Sequence, residues 1–217
     1  MTEWLKELIH SRLGTQVWAR YIWLISLHDH LYDIGWFKSA QARMPVDKNG
    51  DVLPWFTYSM IWFLKAAVRS DMKVFEFGSG NSTLWWAKEV AHVTSVEHSL
   101  EWYSTLKPKV PSNVDYLYCE LVTDGEYCRT ALNTGNKYDV IVIDGRDRVN
   151  CAKNCLNALS DEGVIIWDNS DRVNYQEGYT FLTQNKLKRL DFYGLAPYSS
   201  IGHSTSIFYR PSNCFDI

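Results

Sequence analysis

The stretch Val74-Phe75-Glu76-Phe77-Gly78-Ser79-Gly80-Asn81 constrains this chain more than any other. An apolar strand carrying one acid runs into a Gly-x-Gly turn, and the pattern predicts a helix starting at Ser82 or Thr83. Glycine lets bare backbone approach a ligand closely. A helix start aims its free N–H groups at the same place. Glu97 ends the next apolar run, 17 residues after Gly80. A carboxylate there can accept hydrogen bonds from a ribose, and the spacing fits a nucleoside site in a βαβ unit.

A dinucleotide fingerprint would place a third glycine at position 83, where this chain has Thr83. Glu76, inside the strand, suits a cofactor with a cationic amino group better than one with a pyrophosphate. On Glu76, Gly78, Gly80 and Glu97 the chain resembles the class I S-adenosylmethionine-dependent methyltransferases. The resemblance implies that Glu76 and the turn at Gly78 and Gly80 hold the methionine part of the cofactor. The helix start at Asn81, Ser82 and Thr83 would help, and Glu97 would hold the ribose hydroxyls. Asp144 is expected to touch cofactor or substrate.

A chain of 217 residues is long enough for one packed domain with an appendage. Its net charge of -3 gives no electrostatic reason to expect a nucleic-acid partner. The five cysteines form no Cys-x-x-Cys pair; Cys151 and Cys155 are expected on one face of a helix as small buried side chains. An odd cysteine count and no signal peptide favour a reducing cytoplasm. The apolar run Tyr21–Leu27 is too short to span a bilayer, so no membrane span is expected.

Two textures divide the chain. Residues 1–70 hold six of the ten tryptophans and read as a helical cap. There, Trp4, Leu5, Leu8 and Ile9 make a stripe, with Gly14 as a stop. A second helix is expected from Thr15 to about Tyr32, ending near Gly35. Residues 43–54 read as a loop, and Pro54 as the first residue of a helix carrying Trp55 to Leu64. Trp55, Phe56 and Tyr58 are candidates for a lid, with Tyr193, Tyr198 and the 194–203 loop opposite.

Residues 71–217 alternate strand and helix. Strands are expected at Lys73–Phe77, Val93–Glu97, Val114–Tyr118, Tyr138–Ile143, Gly163–Trp167, Arg189–Tyr193 and Ser204–Tyr209. The first five are spaced for parallel crossovers, whereas the last two lie close enough to pair antiparallel. The expected fold is therefore α/β and Rossmann-like: a seven-stranded, mostly parallel sheet with an antiparallel last strand, plus an N-terminal helical extension. An antiparallel final strand is also what the resemblance implies.

Two further strands end in charges: Tyr138–Ile143 leads to Asp144-Gly145-Arg146-Asp147-Arg148, and Gly163–Trp167 leads to Asp168-Asn169-Ser170-Asp171-Arg172. In a parallel sheet these ends share a side with the Gly78–Gly80 turn, where ligands of open α/β sheets bind. Asp144, Asp168 and Asn169 could converge there as hard oxygen ligands for Mg²⁺ or Ca²⁺. The pattern over roughly residues 72–172 resembles the metal-dependent, catechol-type O-methyltransferases. In that family an Asp and a later Asp-Asn pair bind Mg²⁺, and a lysine three residues after the first Asp is the base. This chain has Asp147 at that place, between Arg146 and Arg148. Either the metal is absent or another group takes the proton. Asp144, Asp147 and His203 are the catalytic candidates; a histidine titrates in the useful range.

The expected activity is methyl transfer from S-adenosylmethionine to a small-molecule acceptor, an oxygen nucleophile, with Mg²⁺ assistance open. Alternatives are an aminopropyltransferase-like enzyme, an NAD-binding oxidoreductase and a non-catalytic binding module on the same fold. A homodimer is also left open.

Overall fold

The computed structural model describes residues 3–217. The strands are β1 (Lys73–Phe77), β2 (His92–Glu97), β3 (Val114–Tyr118), β4 (Tyr138–Ile143), β5 (Leu159–Trp167), β6 (Lys188–Gly194) and β7 (His203–Tyr209). They form one sheet in the order β3-β2-β1-β4-β5-β7-β6. The first five run parallel, and β7 is antiparallel to both of its neighbours. The expected fold class and all seven expected strands are present, with ends shifted by a few residues.

Alternation along the central strands explains why the sheet is covered on both faces. Val74, Val140, Val142, Val164, Ile166 and Ile207 belong to one core. Helices α3 (Tyr58–Ala67) and α4 (Asn81–Glu89) pack there, contributing Met60, Ile61, Leu64, Trp85 and Trp86. The intervening residues Phe75, Phe77, Ile141, Ile143, Ile165, Trp167 and Phe208 belong to a second core. Helix α5 (Leu100–Leu106) follows β2, and α6 (Glu126–Asn133), α7 (Arg148–Cys155) and α8 (Gln176–Gln184) cover this second core. Strands buried on both faces read as continuous apolar runs. The edge strand β6 shows the contrast, since it has no fully buried position. Cys151 and Cys155 point into the second core, and all five cysteines are free.

Three expectations about the N-terminal part are corrected. Gly14 does not stop a helix, and no second helix begins at Thr15: α1 runs unbroken from Glu3 to Asp33. One interior glycine costs only about 1 kcal/mol relative to alanine, too little to break a helix of this length. The side chains of Leu5, Leu8 and Ile9 lie outside the described residues. After α2 (Trp36–Ala42) comes the expected loop, tied down by Ser39, whose hydroxyl donates to Val46 O (2.6 Å) and accepts from Val46 N (3.0 Å). Pro54 does not open α3. Thr57 does, as an extended residue whose side chain accepts from Met60 N, so Pro54 and Trp55 stay in the lead-in.

No helix among the described residues is long and apolar enough to cross a membrane.

The registers align the strand ends. Phe77 is level with Val96 and with Ile143, and Ile143 with Trp167. Gly78, Glu97, Asp144 and Asp168 therefore occupy the next row. Backbone bonds extend into it: Gly78 N donates to Val96 O, Asp144 N to Phe77 O and Asp168 N to Ile143 O. After β3 the chain crosses back over β1 to lay β4 on its other side, which opens the crevice where ligands of such sheets sit.

Candidate active site

A cavity of about 710 Å³ lies above this row. Its β1–β2 side is lined by Gly78, Ser79, Ser82, Glu97, His98 and Trp102. Its β4–β5–β7 side is lined by Asp144, Gly145, Arg146, Arg148, Asp168, Asn169, Asp171, Arg172 and His203. Trp55, Ser99, Ser199, Ile201 and Gly202 complete the lining.

The floor is the contact between Gly78 and Gly145. Gly78 has φ +87°, a left-handed conformation that side-chain-bearing residues adopt only with strain. A Cβ built on it would stand 2.8 Å from Gly145 Cα. A Cβ on Gly145 would overlap Tyr127 Oη and stand 2.9 Å from Gly78 N. Gly80 differs: its φ of 174° is extended, and a Cβ there would meet nothing within 4 Å. The close glycine pair in space is therefore Gly78 with Gly145, rather than the expected Gly78 and Gly80. Gly80 carries no steric demand of its own.

Beneath the turn, Glu76 is completely buried. Its Oε2 accepts from Thr83 Oγ1 and from Ser95 Oγ (3.1 Å). Oε1 has no partner among the described residues, and no cation pairs with the carboxylate. Burial pushes its pKa up to about 7, against those hydrogen bonds. Thr83 also accepts from Gly80 N at 3.1 Å, so it locks the turn rather than lining the cavity. Asn81 begins α4 and donates to Pro45 O at 2.8 Å, fastening the 43–54 loop to the turn.

Glu97 is almost fully buried and oriented by its own backbone neighbourhood. Oε2 accepts from Ser79 N (3.1 Å) and Ser79 Oγ (2.8 Å); Oε1 accepts from His98 N and Ser99 N, both at 2.8 Å. Ser79 Oγ also meets Tyr116 Oη at 2.7 Å, and Trp102 Nε1 donates to Ser79 O at 2.8 Å.

Across the crevice, Arg148 organises the acids. Its Nη2 donates to Asp144 Oδ1 at 2.9 Å and to Asp144 O at 2.8 Å. Its Nε reaches Gly145 O at 3.0 Å, and Nη1 bonds Asp168 O. Burial and the Asp168 carboxylate raise the Asp144 pKa, with Arg148 opposing. Asp168 Oδ1 accepts from Thr205 Oγ1 at 2.6 Å and lies 3.4 Å from His203 Nε2. That carboxylate raises the His203 pKa, against burial.

These partners do not fit the expected metal. A divalent cation needs several free hard oxygens at roughly 2.0–2.6 Å. Here one side of Asp144 is taken by a guanidinium, and Asp168 by a hydroxyl and an imidazole. Asn169 lines the cavity at φ 50°, but no three of the described His, Cys, Asp or Glu residues gather as a ligand set. Positive charge on this floor comes from Arg148.

Asp147, expected as a base, does not line the cavity. It caps α7 at φ 51°, accepting from Asp124 N at 2.9 Å and Asn150 Nδ2 at 2.8 Å. In the expected lid, Phe56 and Tyr58 are core residues, whereas Trp55 stacks on Tyr198 with ring centroids 4.8 Å apart. Trp55 and Tyr198 are thus in contact rather than opposed, and of the two only Trp55 lines the cavity. Gly145, Arg146, Arg172, His98 and Trp102 were not anticipated. Only the Asp-Gly-Arg following a buried strand could have flagged the first two.

Similar folds occur among solved structures. A precorrin-6Y C5,15-methyltransferase from Geobacter metallireducens GS-15 has a TM-score of 0.54 at 14% identity, covering 70% of this chain and 87% of that one. A methyltransferase-like protein from Silicibacter pomeroyi DSS-3 has 0.51 at 22%, covering 70% and 86%. A methyltransferase from Pyrococcus furiosus has 0.51 at 16%, covering 70% and 81%. This is their Rossmann-like fold. No family model matches the chain, and no curated protein is significantly similar in sequence.

Proposed function

We propose that the protein is an S-adenosylmethionine-dependent methyltransferase acting on an oxygen nucleophile of a small molecule. The observation that carries this reading is Glu76, a fully buried carboxylate without a counter-cation, set beneath a bare-backbone turn at the head of a nucleoside-sized crevice. A buried carboxylate without a counter-cation is costly to ionise, so a cationic ligand above it would be favoured. A pyrophosphate would meet repulsion instead. The methyltransferase folds just described support the same assignment.

S-adenosylmethionine, when bound, supplies a methyl group already activated as a sulfonium. The protein's own tasks are to bind, orient and take up a proton. Gly78, Ser79 and Ser82 would present backbone and hydroxyl groups, with Glu76 setting a negative potential from below. Glu97, already fixed by Ser79, His98 and Ser99, would accept from the ribose hydroxyls while sharing Ser79. Trp102, held to Ser79 O, would offer an aromatic face beside them.

On the other side, His203 would be the general base. Asp168 Oδ1 lies 3.4 Å from one ring nitrogen, Nε2, so Nδ1 would receive the acceptor's hydroxyl proton. Asp144, neutralised by Arg148, would orient the acceptor. We derive no metal-assisted step, because the donors that would coordinate Mg²⁺ are engaged by Arg148, His203 and Thr205. Residues 1–70 would act as the cap, with Trp55 as their part of the wall.

Calorimetric titration with S-adenosylmethionine and S-adenosylhomocysteine tests the reading. Binding in the micromolar range is expected, and no binding at millimolar ligand overturns it. NADH in the same assay is expected not to bind.

A further inference from the structure

The β4–β5–β7 side of the cavity holds two guanidinium groups that its own acids do not contact. Four basic side chains line it, Arg146, Arg148, Arg172 and His203, against Asp144, Asp168 and Asp171. Arg148 is consumed by Asp144 and two carbonyls, and His203 faces Asp168. Asp171 Oδ1 accepts from Ser204 N at 3.1 Å. Arg146 and Arg172 remain. Both are exposed, and neither guanidinium has a hydrogen bond, ion pair or ring contact with any described residue.

Two solvated guanidinium groups on an open surface would be ordinary. Here they sit on separate loops, after β4 and after β5, and line one crevice. A ligand filling that crevice strips their water, and an arginine stays charged at any working pH. Left unpaired, each would then cost desolvation free energy. A cationic acceptor would be repelled, and a neutral one would leave both unsatisfied. A planar oxyanion matches them, since the guanidinium fork pairs with carboxylate or phosphate through parallel charge-assisted bonds.

We propose that the methyl acceptor carries an anionic oxygen group, a carboxylate or a phosphate, and that Arg146 and Arg172 hold it. This rests on the methyltransferase reading above. It names the substrate class for that site and makes the two arginines its specificity determinants.

The test uses the full chain loaded with S-adenosylhomocysteine. Benzoate, phenyl phosphate and neutral benzyl alcohol are titrated calorimetrically into wild type and an Arg146→Gln/Arg172→Gln double variant. At least one anion is expected to bind more tightly than benzyl alcohol, and the tighter of the two anions names the group. The double variant is expected to weaken that anion about tenfold or more while keeping S-adenosylhomocysteine affinity and melting temperature. Equal binding of benzyl alcohol, failure of both anions at millimolar concentration, or unchanged anion affinity in the variant would each overturn the inference alone. Failure of S-adenosylhomocysteine to bind wild type would overturn the reading beneath it, and this inference with it.

Discussion

His203 Nε2 stands 3.4 Å from Asp168 Oδ1, although 35 residues separate them in sequence. The contact exists because β7 lies antiparallel beside β5, with Ser206 opposite Trp167, so the first residues of β7 return to the end of β5. An acid behind an imidazole fixes its tautomer and favours its charged form.

That pair predicts a pH profile. A base must be neutral, so methyl transfer should rise with pH through a titration above 6.5, the ordinary histidine value from which His203 is raised. Asp168→Asn should move the rising limb toward lower pH, and His203→Gln should remove it and cut kcat by about 10²-fold or more. The sign for stability is opposite. A raised folded value means the pair's contribution is full below the unfolded histidine value and is lost as pH rises through the folded one. Stopped assays from pH 5.5 to 9, with thermal melts alongside, check both; a profile unchanged in His203→Gln would eliminate it as the base.

Glu76 predicts proton release on cofactor binding. Its folded value, about 7 against an ordinary 4.5, means the empty protein loses stability as pH rises between those values. A cationic ligand favours the ionised form, so binding near pH 6 should expel a proton, and affinity should fall below about pH 7. Calorimetry in two buffers of different ionisation enthalpy measures the release. Glu76→Gln should abolish it and weaken binding by about one to two powers of ten, roughly 1.4–2.8 kcal/mol.

The glycines predict a contrast that motif matching would miss. Gly78→Ala and Gly145→Ala should each destabilise by about 2 kcal/mol or more and block cofactor binding, through close contacts and, at Gly78, backbone strain. Gly80→Ala should melt within about 0.5 kcal/mol of wild type. Urea melts of the three variants decide it, and a Gly80 variant as damaged as the others would refute the assignment.

Arg148 predicts both stability and metal independence. Its side chain is 8% exposed against 26% for Asp144, so the pair is buried enough to matter yet still partly screened. Arg148→Ala should cost about 2–4 kcal/mol, because it leaves carboxylates and carbonyls unpaired. EDTA should leave wild-type activity unchanged, since the guanidinium stands where a divalent ion would bind. Loss of activity on chelation, restored by Mg²⁺, would contradict the assignment.

The strands, their order of appearance and the glycine turn were legible in the chain because they are local. A run such as Tyr138–Ile143 is buried on both faces whatever lies beyond it, and Gly-x-Gly bends without help. Glu76 and Glu97 were likewise marked by position at strand ends. Other features depended on distant partners. Gly14 reads as a helix stop only if one glycine's cost outweighs a continuous helix of 31 residues, and it does not. Pro54 reads as a helix start only if Thr57 is overlooked as the better cap. Asp144 and Asp168 looked like metal ligands because carboxylates attract cations, and sequence does not show which cation arrives first.

The sequence by itself determined a mostly parallel α/β sheet with an acid-and-glycine crevice, since continuous apolar runs and turn chemistry act over a few residues. Only the tertiary structure decided that Gly145 completes the turn, that Arg148 claims the acids and that His203 meets Asp168. Those choices depend on strand register and crossing loops, which join residues far apart in the chain.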